Sequence, residues 1–284
     1  MRILVTGGNG YVGSQVVADL LALGHKVSIL ERFLWPEARE GAYEFIERDF
    51  ELVDKALEGA EAIIHLAGIV SESECQKVGW ETTYRLNALF TRLIASKTNV
   101  PLSFASSGQV YGNTHGCIET TPTPLSELGY YAWSKVIAEG YLLTRPKTTI
   151  YRMGTVFGRS PNMKKWSLVN KMTLDAINRG IITITGGIIN RSLVSVQDAS
   201  KFYIQAVLEP PEGQIIKNLA SIPAISSLDL ATIISHFTGA EVQFKGDNSQ
   251  ISGYTYLKAT EGTNPKALIS FIEAEKLNGG PKRS

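Results

Sequence analysis

Cysteine is scarce: the 284 residues carry two, Cys75 and Cys117, too few for a disulfide framework. Charge asymmetry is missing too. Lys and Arg number 28 against 27 Asp and Glu, and a net +1 gives no electrostatic reason to expect a nucleic-acid or anionic-membrane surface. No apolar stretch approaches the roughly 18 residues of a membrane span, because polar side chains interrupt each one. There is no internal repeat, no low-complexity tract, and no P-loop, EF-hand or G-x-S-x-G motif. His115 and Cys117 form an H-x-C pair without further ligands at zinc spacing, so no metal is expected. The candidate strand Arg2–Thr6 follows Met1 directly and leaves no room for a signal peptide. What is present is 44% hydrophobic and 19% charged, which excludes disorder as a main feature and suits one large or two ordinary domains. The expectation is a soluble, cytoplasmic globular protein.

Short β-rich runs alternate with helical patterns. Ile3–Thr6 is apolar, and in Tyr11–Leu23 the residues Val12, Val16, Val17, Leu20 and Leu21 recur at helical spacing. Gly24 stands where a C-terminal helix cap belongs, and Lys26–Leu30 resumes as a strand. Further strands are expected at Ala62–Leu66, Leu102–Ser106 and Thr148–Arg152, with helices at 81–96 and 131–143. This order predicts an α/β, doubly wound parallel sheet of Rossmann-like type. Beyond about residue 160 the pattern loosens into helices near 164–178, 197–207 and 228–238, with short strands at 181–185 and 193–196. That predicts a dinucleotide-binding domain over 1–160, receiving some later segments, and a smaller α/β substrate-binding part over 161–284. Lys245–Thr263 is polar and contains glycine, and no element is assigned to it.

Gly7, Gly10 and Gly13 are spaced G-x-x-G-x-x-G between the first strand and the first helix, with Tyr11 and Val12 inside the turn. Glycines there permit a tight turn and close approach of backbone N–H groups to a pyrophosphate at a helix N-terminus. Glu31 ends the second strand, 18 residues after Gly13. Its carboxylate can accept from ribose hydroxyls and would repel a 2′-phosphate, favouring NAD over NADP, although Arg32 follows it directly.

The chain here resembles the extended short-chain dehydrogenase/reductase family, in its NAD-dependent epimerase/dehydratase branch. Arg48-Asp49-Phe50 matches the segment whose Asp touches adenine in that family, and His65-Leu66-Ala67-Gly68 resembles the turn beneath the adenosine and pyrophosphate. The resemblance therefore implies cofactor contacts at Asp49, Phe50, Leu66, Ala67 and Gly68. It also makes Asn87 the helix residue that stabilises the central sheet around the cofactor, and His65 structural.

Tyr131 and Lys135 are four apart on a predicted helix, so phenol and ammonium share a face. A nearby ammonium and a nicotinamide cation both favour phenolate, which predicts a lowered Tyr131 pKa and a general base. Tyr254 and Lys258 repeat the spacing in a polar segment with no evident partner strand, so Tyr254 is expected to be dispensable. Ser106-Ser107-Gly108-Gln109-Val110-Tyr111-Gly112 resembles the family's S-S-x-x-V-Y-G motif, which makes Ser107 the catalytic hydroxyl beside Tyr131 and Lys135, and a contact for the substrate.

The stretch from Thr185 to Asp198 resembles that of nucleotide-sugar enzymes, which implies that Arg191 holds the substrate diphosphate. Thr155 stands where those relatives carry a substrate-binding Asn, and Gly108-Gln109 where dehydratases carry Asp-Glu. A glutamine exchanges no protons near neutrality. The expected activity is an NAD-dependent nucleotide-sugar epimerase. The alternative is an NAD(P)H-dependent reductase of a keto-sugar or other small carbonyl compound, and a dehydratase or a non-catalytic NAD sensor ranks below both. The resemblance further implies a homodimer through the helices near 81–96 and 131–143.

Overall fold

The computed structural model describes residues 1–31, 42–46, 50, 52–185, 187–246 and 251–279. The expectations for Arg32 and Asp49 therefore lie outside the described residues. Apolar runs form β1 (Arg2–Thr6), β2 (Lys26–Glu31), β3 (Ala42–Ile46), β4 (Ala62–His65), β5 (Leu102–Ser107) and β6 (Thr148–Met153). Among them stand α1 (Tyr11–Ala22), α2 (Val53–Leu57), α3 (Glu72–Val78), α4 (Trp80–Thr83), α5 (Phe90–Lys97) and α6 (Tyr130–Leu142). The later chain adds β7 (Thr155–Phe157), α7 (Leu168–Arg179), β8 (Ile181–Thr185), β9 (Ile188–Ser195), α8 (Val196–Leu208) and β10 (Gln214–Leu219). It closes with β11 (Ile222–Ser226), α9 (Ser227–Thr238), β12 (Glu241–Lys245), β13 (Ile251–Tyr254) and α10 (Ala267–Gly279).

The main sheet has seven strands in the order β10-β6-β5-β4-β1-β2-β3, all parallel. Val16 and Leu20 of α1 and Tyr203 of α8 cover one face, while Ile94 of α5 and Leu142 of α6 cover the other. Burial on both faces explains why β1 and β4 read as continuous apolar runs rather than alternating ones. The winding reverses between β1 and β4, and a crevice opens there at the strands' C-terminal ends, where doubly wound sheets bind ligands.

A second group of elements builds its own core from Phe157, Met172, Ile234 and Ile272. In it β9 pairs with β7 and β13 in parallel and with β11 antiparallel, and β12 pairs with β8. β10 and α8 return from this later chain to the main sheet. No helix among the described residues is long and apolar enough to cross a membrane.

Three local expectations change. The helix over 81–96 is interrupted by a π-helical turn at Tyr84–Leu89, and inside it the Asn87 amide turns away to bond a neighbouring loop. The helix expected from 164 begins at Leu168, because the preceding residues are tied to the glycine turn. There Asn162 donates to the Asn9 carbonyl at 2.7 Å, Ser160 donates to the Tyr11 carbonyl at 3.0 Å, and the Tyr11 phenol donates to the Gly158 carbonyl at 2.6 Å. Finally, the unassigned segment 245–263 contains β13, whose Tyr254 is in register with Arg191 of β9.

Candidate active site

One cleft runs along the C-terminal ends of β1, β2, β4, β5 and β6. Gly7, Gly10, Tyr11, Val12, Gly13 and Glu31 line one end of it, with Leu66, Ala67 and Gly68 beside them. Backbone proximity accounts for two of the glycines. A Cβ on Gly13 would lie 2.0 Å from the Gly7 carbonyl oxygen, and one on Gly7 would lie 2.8 Å from the Ala67 nitrogen; Gly7 also has φ +71°. The Glu31 carboxylate accepts from the Asn9 N–H at 3.3 Å, which holds it against the same turn. Glycines stripped to backbone at a helix N-terminus, with a carboxylate at the next strand end, fit a dinucleotide.

Some residues expected at the cofactor stand elsewhere. Phe50 stacks on Phe90 at 5.1 Å between centroids, with Arg85 above it, and is not among the residues lining the cleft. Asn87 also acts from behind the wall. Its amide oxygen accepts from Ile69 N–H at 2.7 Å, and its nitrogen donates to the Ile69 carbonyl and the Ser134 hydroxyl, so it pins the loop after β4 to α6. His65 is buried between the hydroxyls of Thr6 and Thr91, at 2.6 and 2.9 Å, and burial, aided by the Lys135 charge, lowers its pKa to about 3.

At the other end stand Ser107, Tyr131 and Lys135. Ser107 ends β5 and accepts from the Gln109 N–H at 3.2 Å, which leaves its proton for the Tyr131 phenol. Lys135 lies one turn along α6 from Tyr131 and donates to the Ala105 carbonyl at 2.8 Å. Burial lowers its pKa to about 8. Burial also raises the Tyr131 pKa, and the Ser107 bond opposes this only in part. The lowered phenol expected from the Tyr–Lys spacing is therefore not produced by the protein alone: the Lys135 ammonium is 6.0 Å from the ring centroid and bonded to a carbonyl.

α6 is held to the sheet by a buried ion pair. Arg152 of β6 donates to Glu139 at 2.8 Å, Ser106 donates to the same carboxylate, and Arg152 also donates to the Tyr111 phenol. Nothing in the sequence pattern singled out Glu139.

The substrate side departs most from expectation. Tyr254, expected to be dispensable, is 4% exposed and lines the cleft with Ser107 and Tyr131. The parallel pairing of β13 with β9 brings it there. Its ring fills the space above Gly108, where a Cβ would lie 2.2 Å from the ring's Cε2, and its phenol stands beside Thr155. Thr155 also lines the cleft. Arg191 does not. Its guanidinium donates to the Asn190 carbonyl at 2.8 Å and packs 5.3 Å from the Tyr254 ring centroid, behind that ring. Lys164 lines the cleft instead, a residue hidden in the sequence because the helix was expected to begin there. Among the described residues no three His, Cys, Asp or Glu side chains are grouped to hold a metal.

The model of the NAD dependent epimerase/dehydratase family matches residues 3–220. The chain belongs to that family. It is 28% identical over 239 residues to the Dictyostelium discoideum sterol-4-alpha-carboxylate 3-dehydrogenase (decarboxylating), covering 77% of this chain and 70% of the relative. It is 26% identical to the same organism's UDP-glucose 4-epimerase over 287 residues, covering 86% and 83%. Its fold is that of the Thermotoga maritima UDP-glucose 4-epimerase solved with UDP-glucose, at TM-score 0.80 and 22% identity over 98% of this chain and 99% of that one. As a family member it is an α/β protein of the extended short-chain dehydrogenase/reductase type, and NAD is the family's cofactor.

Proposed function

We propose that the protein is an NAD-dependent epimerase of a nucleotide-activated sugar, working through a transient keto-sugar. One observation carries this reading: Ser107, Tyr131 and Lys135 face the same cleft as the glycine turn and Glu31. A dinucleotide held by the glycine turn and Glu31 would present its hydride-accepting ring to a sugar hydroxyl at Tyr131. Bound NAD supplies a reversible hydride acceptor and a cationic ring that favours phenolate, the positive charge that Tyr131 lacks. Tyr131 takes the hydroxyl proton and Ser107 holds the same oxygen, while the Lys135 ammonium, bonded to the Ala105 carbonyl on the same wall, is placed for the cofactor. Return of the hydrogen to the other face of the ketone gives the epimer, and Tyr131 gives the proton back.

Two further points support epimerisation over dehydration. Gln109 offers no exchangeable proton near neutrality, and the Tyr254 ring occupies the room that a side chain at 108 would need. Glu31 supports NAD over NADP. The test is to incubate the purified protein with UDP-glucose and TDP-glucose. Epimer should form without added cofactor and without net absorbance of reduced nicotinamide.

The alternative is reduction of a keto-sugar or other small carbonyl compound. It is favoured by the position of Arg191, which is bonded to Asn190 behind Tyr254 rather than directed into the cleft toward a diphosphate. Stoichiometric oxidation of added NAD(P)H by a keto substrate, with no epimer formed in its absence, would select this reading.

Pairing with a second copy through α4, α5 and α6 belongs to the same proposal. Trp80 and Tyr130 support it, since they are exposed on these helices and lie 5.7 Å apart between centroids. Light scattering of twice the chain mass is the expected result.

A further inference from the structure

Glu72 begins α3, but its carboxylate serves another helix. One oxygen accepts the N–H of Tyr130 at 3.0 Å, and the other accepts the N–H of Tyr131 at 2.9 Å. Gln76 donates to the first oxygen at 3.2 Å and steadies it from within α3. The two N–H groups are among those a helix leaves without an internal partner. The residue preceding α6 cannot supply a cap, because it is Gly129.

That glycine has no conformational reason to be there. Its φ is −76°, ordinary for any residue. Space is the reason: a Cβ on Gly129 would lie 2.3 Å from Glu72 Cδ and 2.4 and 2.5 Å from its two oxygens. The missing side chain at 129 makes room for the carboxylate from 72.

The loop that carries Glu72 is also a wall of the cleft. Gly68 and Val70 line the cleft just upstream of it. Asn87 fastens the start of this loop to Ser134 of α6, and the Ser134 hydroxyl donates to the Tyr131 carbonyl at 2.7 Å. Glu72 fastens its end to Tyr130 and Tyr131. The wall and the first turn of α6 are thus tied at two points, one of them by a carboxylate, whose hydrogen bonds are about twice as strong as neutral ones.

We propose that Glu72 is a positioning residue for Tyr131: with Gly129, it locks the first turn of α6 to the cofactor wall and so holds the phenol at the reacting carbon. It acts through two backbone amides and touches neither cofactor nor substrate. The inference rests on the reading of Tyr131 as the general base. A displacement of about 1 Å at a reacting group can cost on the order of 100-fold in rate, so loosening this turn weakens chemistry more than binding.

The test uses the NAD-loaded protein with UDP-glucose as probe. Glu72→Gln keeps one acceptor and turns an NH2 toward the other N–H. It should lower kcat by roughly 10- to 100-fold while KM and the NAD dissociation constant stay within about threefold. Amide hydrogen exchange should quicken at residues 130–132 and not across the sheet. Gly129→Ala evicts the carboxylate and should give the same pattern, and the double variant should be no worse than the worse single one. A kcat within about twofold of wild type, losses that multiply in the double variant, or exchange that quickens throughout the chain would each overturn the proposal. Wild-type protein that converts no nucleotide sugar overturns the proposed reaction instead. The link from Glu72 is then judged on exchange alone, and unchanged rates at 130 and 131 in Glu72→Gln overturn it.

Discussion

The Tyr254 phenol stands beside Thr155 in the cleft that holds Tyr131, and the Arg191 guanidinium packs behind the Tyr254 ring. Burial raises the Tyr254 pKa, so it enters the site as a neutral donor. Tyr254→Phe is expected to lower kcat/KM by about tenfold, the worth of one hydrogen bond of roughly 1.4 kcal/mol, with NAD affinity unchanged. Steady-state kinetics beside an NAD titration decide it, and wild-type kinetics would return Tyr254 to a packing role. Gly108→Ala should be at least as damaging, because the ring has to leave.

Tyr131→Phe keeps the ring and its packing but removes the exchangeable proton. Turnover should fall by at least roughly 100-fold while NAD still binds near normally. Lys135→Met should impair both turnover and cofactor affinity, since the ammonium lies on the cleft wall beside the Ala105 carbonyl it bonds. A Tyr131→Phe enzyme with substantial activity would remove the phenol from the reaction.

The proposed preference for NAD over NADP rests on Glu31. NAD should bind at least about tenfold more tightly than NADP, a difference of about 1.4 kcal/mol. Glu31→Ala should narrow that ratio by relieving repulsion of the 2′-phosphate. Calorimetry with both dinucleotides measures it.

His65 makes stability depend on pH. Its folded pKa, about 3, lies below the unfolded value of 6.5, so between those values the unfolded chain binds more protons than the folded one. The stability is complete above 6.5 and declines as pH falls through that window. From pH 7 to 5 the loss is about 2 kcal/mol at 1.36 kcal/mol per pH unit. Urea unfolding at the two pH values should show it, and a His65→Asn variant should lack this part of the slope.

The buried pair of Arg152 and Glu139 is a further test of how α6 is held. Glu139→Gln leaves a guanidinium largely without its counter-charge, which typically costs 3–5 kcal/mol, roughly what breaking a buried ion pair costs. Thermal unfolding should shift down by several degrees or more. An unchanged midpoint would show that Tyr111 and the surrounding carbonyls satisfy Arg152 unaided.

Local chemistry was readable from the chain, and long-range pairing was not. Gly7, Gly10 and Gly13 announce themselves because strand, turn and helix lie within a dozen residues, and Tyr131 with Lys135 because a helix aligns residues four apart. Ser107 came from the resemblance of its whole motif. Tyr254 carried the same spacing to Lys258, but its place depends on β13 lying beside β9, some sixty positions upstream, and its segment has no apolar run to suggest a strand. Glu72 and Glu139 look like ordinary charges on helix surfaces until α6 is packed against β6 and α3. Arg191 shows the converse: a motif brought the residue to the right strand, and the neighbour across the sheet decided where its guanidinium went.

β10 borders β6 at the rim of the main sheet, with Gln214 opposite Thr148 and Leu219 opposite Met153. A ribosome must therefore extrude the whole of β7 through α8 before that rim can be capped. Until then β6 presents a bare row of backbone donors and acceptors, the kind of edge on which nascent chains stick to one another. A fragment ending near residue 160 would keep that edge for good. Shortening the chain to isolate its cofactor-binding half would thus leave β6 as the sheet's edge, whereas a fragment carried through Leu219 would keep β10 paired beside it.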